Sequence, residues 1–213
     1  MPVASRNRSQ TASFTRSETT LCDSSMSEAT TTIVKGIRAA PHRPSVLVNA
    51  SAIGYYGGRG DETLTEDSSA GQGFLSDVVI DWEEAANKAT ELGVRVALMR
   101  IGVVLGRDGG ALPQMALPFK LFGGGPVGSG RQWMSWIHLE DVVGMIIWAI
   151  ENEQVSGAIN TVAPEPLRNA EFSREIGRAL HRPSWLPAPG FALRLILRSE
   201  EHTSELQLHS FIS

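Results

Sequence analysis

An α/β fold built on a parallel sheet is predicted by three features of the sequence. A short apolar run of β-branched type, SVLVNAS at 45–51, and the stretch VRVALMRIGVVLG at 94–106, which runs on into a loop, read as strands buried on both faces. Stretches with apolar residues at helical spacing lie between and after them, so that strand and helix alternate. Polar, glycine-rich segments follow the strands, and ligands of parallel sheets bind at the carboxyl ends of strands beside such loops. Asn49–Gly58, Arg100–Gly110 and the 123–138 segment are therefore the places where a site is expected.

Each element has its own signal. Thr30–Ala39 (TTTIVKGIRA) has helical spacing, with Thr30–Thr32 as N-cap candidates and Pro41 beyond its end. The first strand, 45–51, runs into the polar loop GGRGDETLTEDSSAGQG. The next stretch, 74–93, places Leu75, Val78, Val79, Trp82, Ala85, Ala86 and Ala89 close to a 3.6-residue period, and Gly93 stands where a C′ glycine belongs. After the second strand, which Arg100 and Gly102 end and which runs into a loop by Gly106, GRDGGALPQ leads to a helix or turn near Met115–Leu121. The glycine-dense, then aromatic run GGGPVGSGRQWMSWIH precedes a helix from about Glu140. AINTVAP at 158–164 is a last strand, and Asn169 caps a last helix with Glu171 in its first turn.

The ends differ from this middle. Residues 1–28 are crowded with Ser and Thr, carry Arg6, Arg8 and Arg16, and show little apolar periodicity, so they are expected to be disordered or spurious. The same Arg- and Ser-rich start resembles a mitochondrial transit peptide. At the other end, Arg198–Gln207 (RSEEHTSELQ) can be written codon by codon as a common sequencing-adapter oligonucleotide, and 198–213 is read as an assembly artefact. Between these lie the alternating α/β segment, 29–165, and a helical segment, 166–197.

Composition narrows the function. The formal charge of −4 does not favour nucleic acid or an anionic membrane surface as partner. VVGMIIWAI at 142–150, the longest apolar run, falls short of the roughly 20 residues that span a bilayer. A single cysteine, Cys22, fits a reducing compartment, so a cytoplasmic location is expected, with the mitochondrion as alternative. One cysteine and five histidines without ligand spacing give no metal site.

NASAIGYYG, GFLSDVVIDWEEAA, RIGVVLGRDGGALPQM, FGGGPVGSGRQWMSWIHLEDVV and APEPLRNAEFSREIGRALHRP together resemble the atypical epimerase-family branch of the extended short-chain dehydrogenases, from about Ser27 to Leu197. The resemblance implies a Rossmann-like, doubly wound parallel sheet with a small substrate-side region, and NAD or NADP as cofactor. Members open with a strand and a G-x-x-G-x-x-G turn that seats the pyrophosphate on a helix N-terminus. Nothing between Met1 and Val46 matches it, so the first βαβ unit is expected to be missing and cofactor binding by this chain to suffer.

The resemblance also implies roles. The usual relay is a Ser with a Tyr-x-x-x-Lys pair, in which the lysine activates the phenol. Tyr55 and Tyr56 are the only tyrosines and neither starts such a pair, so the relay is absent. Ser51 and Tyr56 stand as candidate catalytic groups; Ala50, Ser51, Arg100, Gly102 and Val103 as cofactor contacts; Tyr55, Arg131, Trp136 and His138 as substrate contacts. Arg131 suits a phosphate or carboxylate, and Trp133 and Trp136 a stacking wall. Sugar-nucleotide epimerases usually keep their phosphate-binding arginine where this chain has Met134. His138 reads more readily as a cap than as a catalyst, Trp82 as core, and Glu83 and Glu84 as a solvated face. Three readings stay open: an NAD(P)-dependent epimerase or oxidoreductase acting on a sugar-like or anionic small molecule, a non-catalytic dinucleotide sensor, and a truncated gene product without function.

Overall fold

Strands β1 (Val46–Ala52) and β2 (Arg95–Ile101) pair in parallel from Val46↔Arg95 to Ala52↔Ile101. On the far side of β2, β6 (Gly157–Thr161) pairs in parallel from Ala97↔Gly157 to Ile101↔Thr161. The sheet order is thus β1-β2-β6. The computed structural model describes residues 16–186, with side chains from residue 25 onward.

Pleat alternation assigns the two faces of this sheet. Val96 and Leu98 of β2 point to one face, where they meet Val34 and Ile37 of helix α1 (Arg16–Ala39), Ala86 of helix α2 (Phe74–Asn87) and Ala89 just beyond its end. Ala97 and Met99 point to the other face, against Ala149, Met145 and Ile146 of helix α4 (Leu139–Glu151). Helices therefore cover both faces, which explains why Val96–Met99 in β2 is apolar without alternation. β1 is only half-buried along most of its length, contrary to the expectation of full burial. Among the described residues it has a hydrogen-bonded neighbour on one side alone. Arg95 ties the layers together: its guanidinium donates to the carbonyls of Ala149, Ile150 and Val155, placing a cation at the C-terminus of α4.

The second strand ends at Gly102 as expected, but the stretch beyond it is no loop: Val103–Leu105 forms β3, which pairs in parallel with β5 (Trp136–His138) in a separate two-stranded sheet. The third sheet pairs β4 (Trp133–Met134) antiparallel with β7 (Leu167–Arg168). Val103, Leu105 and Met134 join Phe119 of α3 (Ala111–Lys120) with Phe172 and Ile176 of α5 (Asn169–Leu180) in a second core.

Several boundaries differ from expectation for local reasons. Arg16–Glu28, expected to be disordered, forms the first half of α1. That helix is anchored further along, where Thr30, Val34 and Ile37 fall on one buried face at i, i+4 and i+7. α2 stops at Asn87, and Gly93, in the left-handed region at φ 77°, closes a 3-10 turn at Thr90–Leu92 instead. Asn169 is the first residue of α5 and Arg168 its N-cap, because the Asn169 side chain is committed to the Val127 N–H and to Met134 Sδ. Residues 1–15 and the proposed adapter segment 198–213 lie outside the described residues.

Candidate functional site

Ser51, Arg100 and Asn160 stand side by side across the sheet. The register pairs Ser51 with Arg100 and Arg100 with Asn160, one residue from the carboxyl ends of β1, β2 and β6. All three share the face that carries Val96 and Leu98, and thus look toward α2. The helix answers with a carboxylate: Glu83, which lies on its buried stripe between Val79 and Ala86. Its oxygens accept from Arg100 Nε and Nη2, each at 2.9 Å, in a bidentate pair, and Oε1 also accepts the Ser51 hydroxyl at 2.5 Å.

Arg100 Nη1 reaches the turn that follows β1. A 3-10 turn, Ile53–Tyr56, carries Tyr56 beneath the sheet end, 3% exposed. Its hydroxyl accepts from Arg100 Nη1 at 3.0 Å and donates to Asn160 Oδ1 at 2.6 Å. Tyr55 lies half-buried with its ring centroid 3.4 Å from the Arg100 guanidinium carbon, edge-on to Tyr56. Burial opposes the charge on Arg100, but the hydrogen bonds and charge of Glu83, helped by the Tyr56 hydroxyl, outweigh it and raise the guanidinium above its ordinary range. Every polar group of this buried cluster is therefore matched.

Loop 57–73 lies over these strand ends. Its two stems cross closely: Gly71 donates to the Tyr55 carbonyl at 2.9 Å, and a β-carbon at Gly71 would lie 2.2 Å from the Tyr56 oxygen. Midway, the Glu66 carboxylate accepts from the Asn160 N–H at 2.8 Å, and its carbonyl accepts from Arg100 Nη1 at 3.3 Å. Near the tip, the Asp61 carboxylate accepts from Trp133 Nε1 at 2.9 Å and pairs with Arg168. Arg168 stacks over the Trp133 ring at 3.8 Å and also donates to the Arg131 carbonyl. The Trp133 and Arg168 hydrogen bonds hold the Asp61 carboxyl below the usual carboxylate range.

The structure brings Ser51, Tyr55, Tyr56 and Arg100 together and separates the others from them. Ala50 is exposed near the end of β1, on the opposite face from Ser51. Gly102 permits a close approach, but of the protein's own backbone: an added β-carbon would lie 2.5 Å from the Ser135 oxygen. Val103 is buried, with its N–H bonded to that same oxygen at 2.8 Å. Arg131 is exposed near Asp61. The Trp136 indole is spent on the Glu165 carbonyl at 3.2 Å, and His138 caps α4 by accepting from the Glu140 N–H. Glu83 is a correction: expected on a solvated face, it is 5% exposed and ion-paired, while Glu84 is exposed. Trp82, expected as core, is half-buried and donates to Thr30 Oγ1. The spacing Ser76–Val79–Glu83–Ala86 down one helix face was the signal for Glu83. Asp61 and Arg168 carried no signal in the sequence. Among the described residues no cluster of His, Cys, Asp or Glu suits a metal ion.

A three-stranded parallel sheet covered by helices on both faces, with polar groups gathered at its strand ends, defines a Rossmann-like protein of dinucleotide-binding type. Residues 3–162 match the model of the NAD dependent epimerase/dehydratase family, and the chain belongs to that family. It is 51% identical over 158 residues to the chloroplastic epimerase family protein SDR39U1 homolog of Arabidopsis thaliana, covering 74% of this chain and 45% of that protein. It is 43% identical over 171 residues to the epimerase family protein YfhF of Bacillus subtilis, covering 80% and 56%. The chain thus spans about half the length of the curated relatives it matches. Among solved structures it resembles human epimerase family protein SDR39U1 (isoform 2) with NADPH, at TM-score 0.77 and 32% identity over 93% of this chain and 74% of that one. The nucleoside-diphosphate sugar epimerase from Corynebacterium glutamicum matches at TM-score 0.69 and 33% identity, over 94% and 44%. No helix among the described residues is long and apolar enough to cross a membrane.

Proposed function

We propose that this chain is the nicotinamide-side part of an NADP(H)-binding epimerase-family protein that acts on a small anionic molecule. The observation that carries this reading is the row Ser51–Arg100–Asn160 at the carboxyl ends of three parallel strands, with the tyrosine turn fastened beneath it. The human relative whose structure contains NADPH supports the choice of cofactor.

The residues present fit the ring end of a dinucleotide. Ala50 leaves a small, exposed surface near the end of β1, on the face opposite Ser51, and Tyr55 adds a half-buried ring on the Ser51 side. Among the described residues, no strand passes through a G-x-x-G-x-x-G turn into a helix, so they offer no cradle for the pyrophosphate. A bound nicotinamide supplies a hydride donor or acceptor. The chain's own part is to hold Ser51 and Tyr55 at the strand ends and to shield them from water with loop 57–73. Arg131, exposed near that loop, is the anchor for the anionic group of the substrate.

A second reading, a sensor without turnover, is favoured by a different observation. The hydroxyls of Ser51 and Tyr56 already donate inside the protein, to Glu83 and Asn160, which leaves neither proton aimed at a substrate. Titration of the full chain with NADPH and NADH, followed by nicotinamide fluorescence, separates the readings. Binding together with turnover of an anionic substrate that Ser51→Ala abolishes supports the enzyme. Binding that Ser51→Ala leaves intact, without turnover, supports the sensor. Failure to bind either dinucleotide sinks both.

A further inference from the structure

We propose that Arg168, the indole N–H of Trp133 and the neighbouring Arg131 form a binding site for the phosphate group of a small ligand, and that Asp61 occupies this site as a tethered stand-in. The inference deepens the proposed function and rests on its reading that the ligand is anionic.

Arg168 is held in place by parts that do not depend on Asp61. Its guanidinium stacks on Trp133 and donates to the Arg131 carbonyl, while its backbone N–H is tied to the Glu171 carboxylate at 3.0 Å. The fork and the indole N–H therefore stay aimed at one point when the carboxylate leaves, which lowers the ordering cost of binding an anion there. The charge of Arg131 is also felt at that point. Two guanidinium groups and an indole donor suit a phosphate, with its higher charge and three accepting oxygens, better than a carboxylate.

Asp61 has the properties of an exchangeable occupant. It is brought from a loop 107 residues away in sequence from Arg168, and its side chain is 74% exposed. Gly57 and Gly60, both in the left-handed region, border it on the N-terminal side of the loop. A tethered group of this kind competes at an effective concentration of about millimolar order, which a ligand with stronger contacts overcomes. The same loop sets Glu66 on the Asn160 N–H and on Arg100. Phosphate binding at Arg168 thus frees the loop that covers the buried cluster, and so couples entry of the ligand to opening of the strand ends.

The test is calorimetric titration of the full chain with pyrophosphate and, in parallel, malonate, with trypsin cleavage after Arg59 reporting on the loop. Pyrophosphate should bind and speed cleavage. Asp61→Asn, which keeps the shape of the side chain, should bind pyrophosphate roughly tenfold tighter, the effect of removing one charged, hydrogen-bonded competitor. Arg168→Met should lose binding, and Trp133→Phe, which keeps the ring without the N–H, should weaken it. Circular dichroism checks that each variant is folded. An affinity of Asp61→Asn equal to the parent's, or binding untouched by Arg168→Met, overturns the proposal, and malonate binding as tightly as pyrophosphate overturns the phosphate assignment. NADPH titration of the same preparations keeps the two inferences apart. Pyrophosphate binding lost with Arg168→Met but no NADPH binding would support this site and sink the function it rests on.

Discussion

The molecule uses one chemical device twice. In each case an arginine pairs with a carboxylate and lies over an aromatic ring: Arg100 with Glu83 and Tyr55, Arg168 with Asp61 and Trp133. The side chains of the first pair are 5% and 7% exposed, those of the second 31% and 74%. Burial decides what the device does. Inside, each charge depends on its partner, since water cannot replace it, and the pair fixes β1, β2, α2 and the tyrosine turn as a unit. Outside, water and dissolved anions can replace either partner, so the pair holds a loop that is able to leave. The first is scaffold and the second is a latch.

The largest effect expected from this contrast is on the inner pair. Glu83→Gln leaves the Arg100 cation without its counter-charge and should destabilise the protein by about 3–5 kcal/mol, read from urea denaturation. Next comes Tyr56→Phe, which removes a hydroxyl used by both Arg100 and Asn160 and should cost about 1–3 kcal/mol in the same assay. Gly102→Ala drives a β-carbon against the Ser135 carbonyl and should cost about 1–3 kcal/mol by overpacking. Asp61→Asn should leave the denaturation midpoint where the parent has it; a loss as large as that of Glu83→Gln would erase the distinction between the pairs.

The smallest effect is a dependence on pH. The folded state lowers the Asp61 carboxyl pKa, through the Trp133 N–H first and Arg168 second. The latch is therefore complete above the ordinary carboxylate range and is lost as pH falls through the lowered folded value. Carboxyl chemical shifts should place the Asp61 titration below that of a free aspartate, and Trp133→Phe should move it back up.

The strand ends were legible in the sequence because strand type and termination are local properties. SVLVNAS and VRVALMRI announce buried strands by their residues alone, and that suffices to put Ser51 and Arg100 at carboxyl ends. What joins them was not legible. Glu83 lies 17 residues from Arg100, and their meeting depends on the register between a helix and a parallel strand, which composition does not encode. Asn160 sits in a strand that was expected, yet its place beside Arg100 follows from the order β1-β2-β6. Asp61 and Arg168 meet across 107 residues through a loop whose sequence shows only polarity. Gly102 was expected to contact the cofactor, but what approaches it is Ser135.

That glycine also governs how the molecule can be divided. The Gly102 N–H bonds to Thr161 of the main sheet at 3.1 Å, and the next N–H, from Val103, bonds to Ser135, between β4 and β5. Consecutive amides thus belong to different parts of the architecture, and the border between those parts runs through a peptide bond within one extended stretch. Among the described residues no linker separates the β1-β2-β6 sheet from the β3-β5 sheet. A cut placed between them would sever one extended stretch, so neither part is a module to be expressed alone or grafted onto another protein.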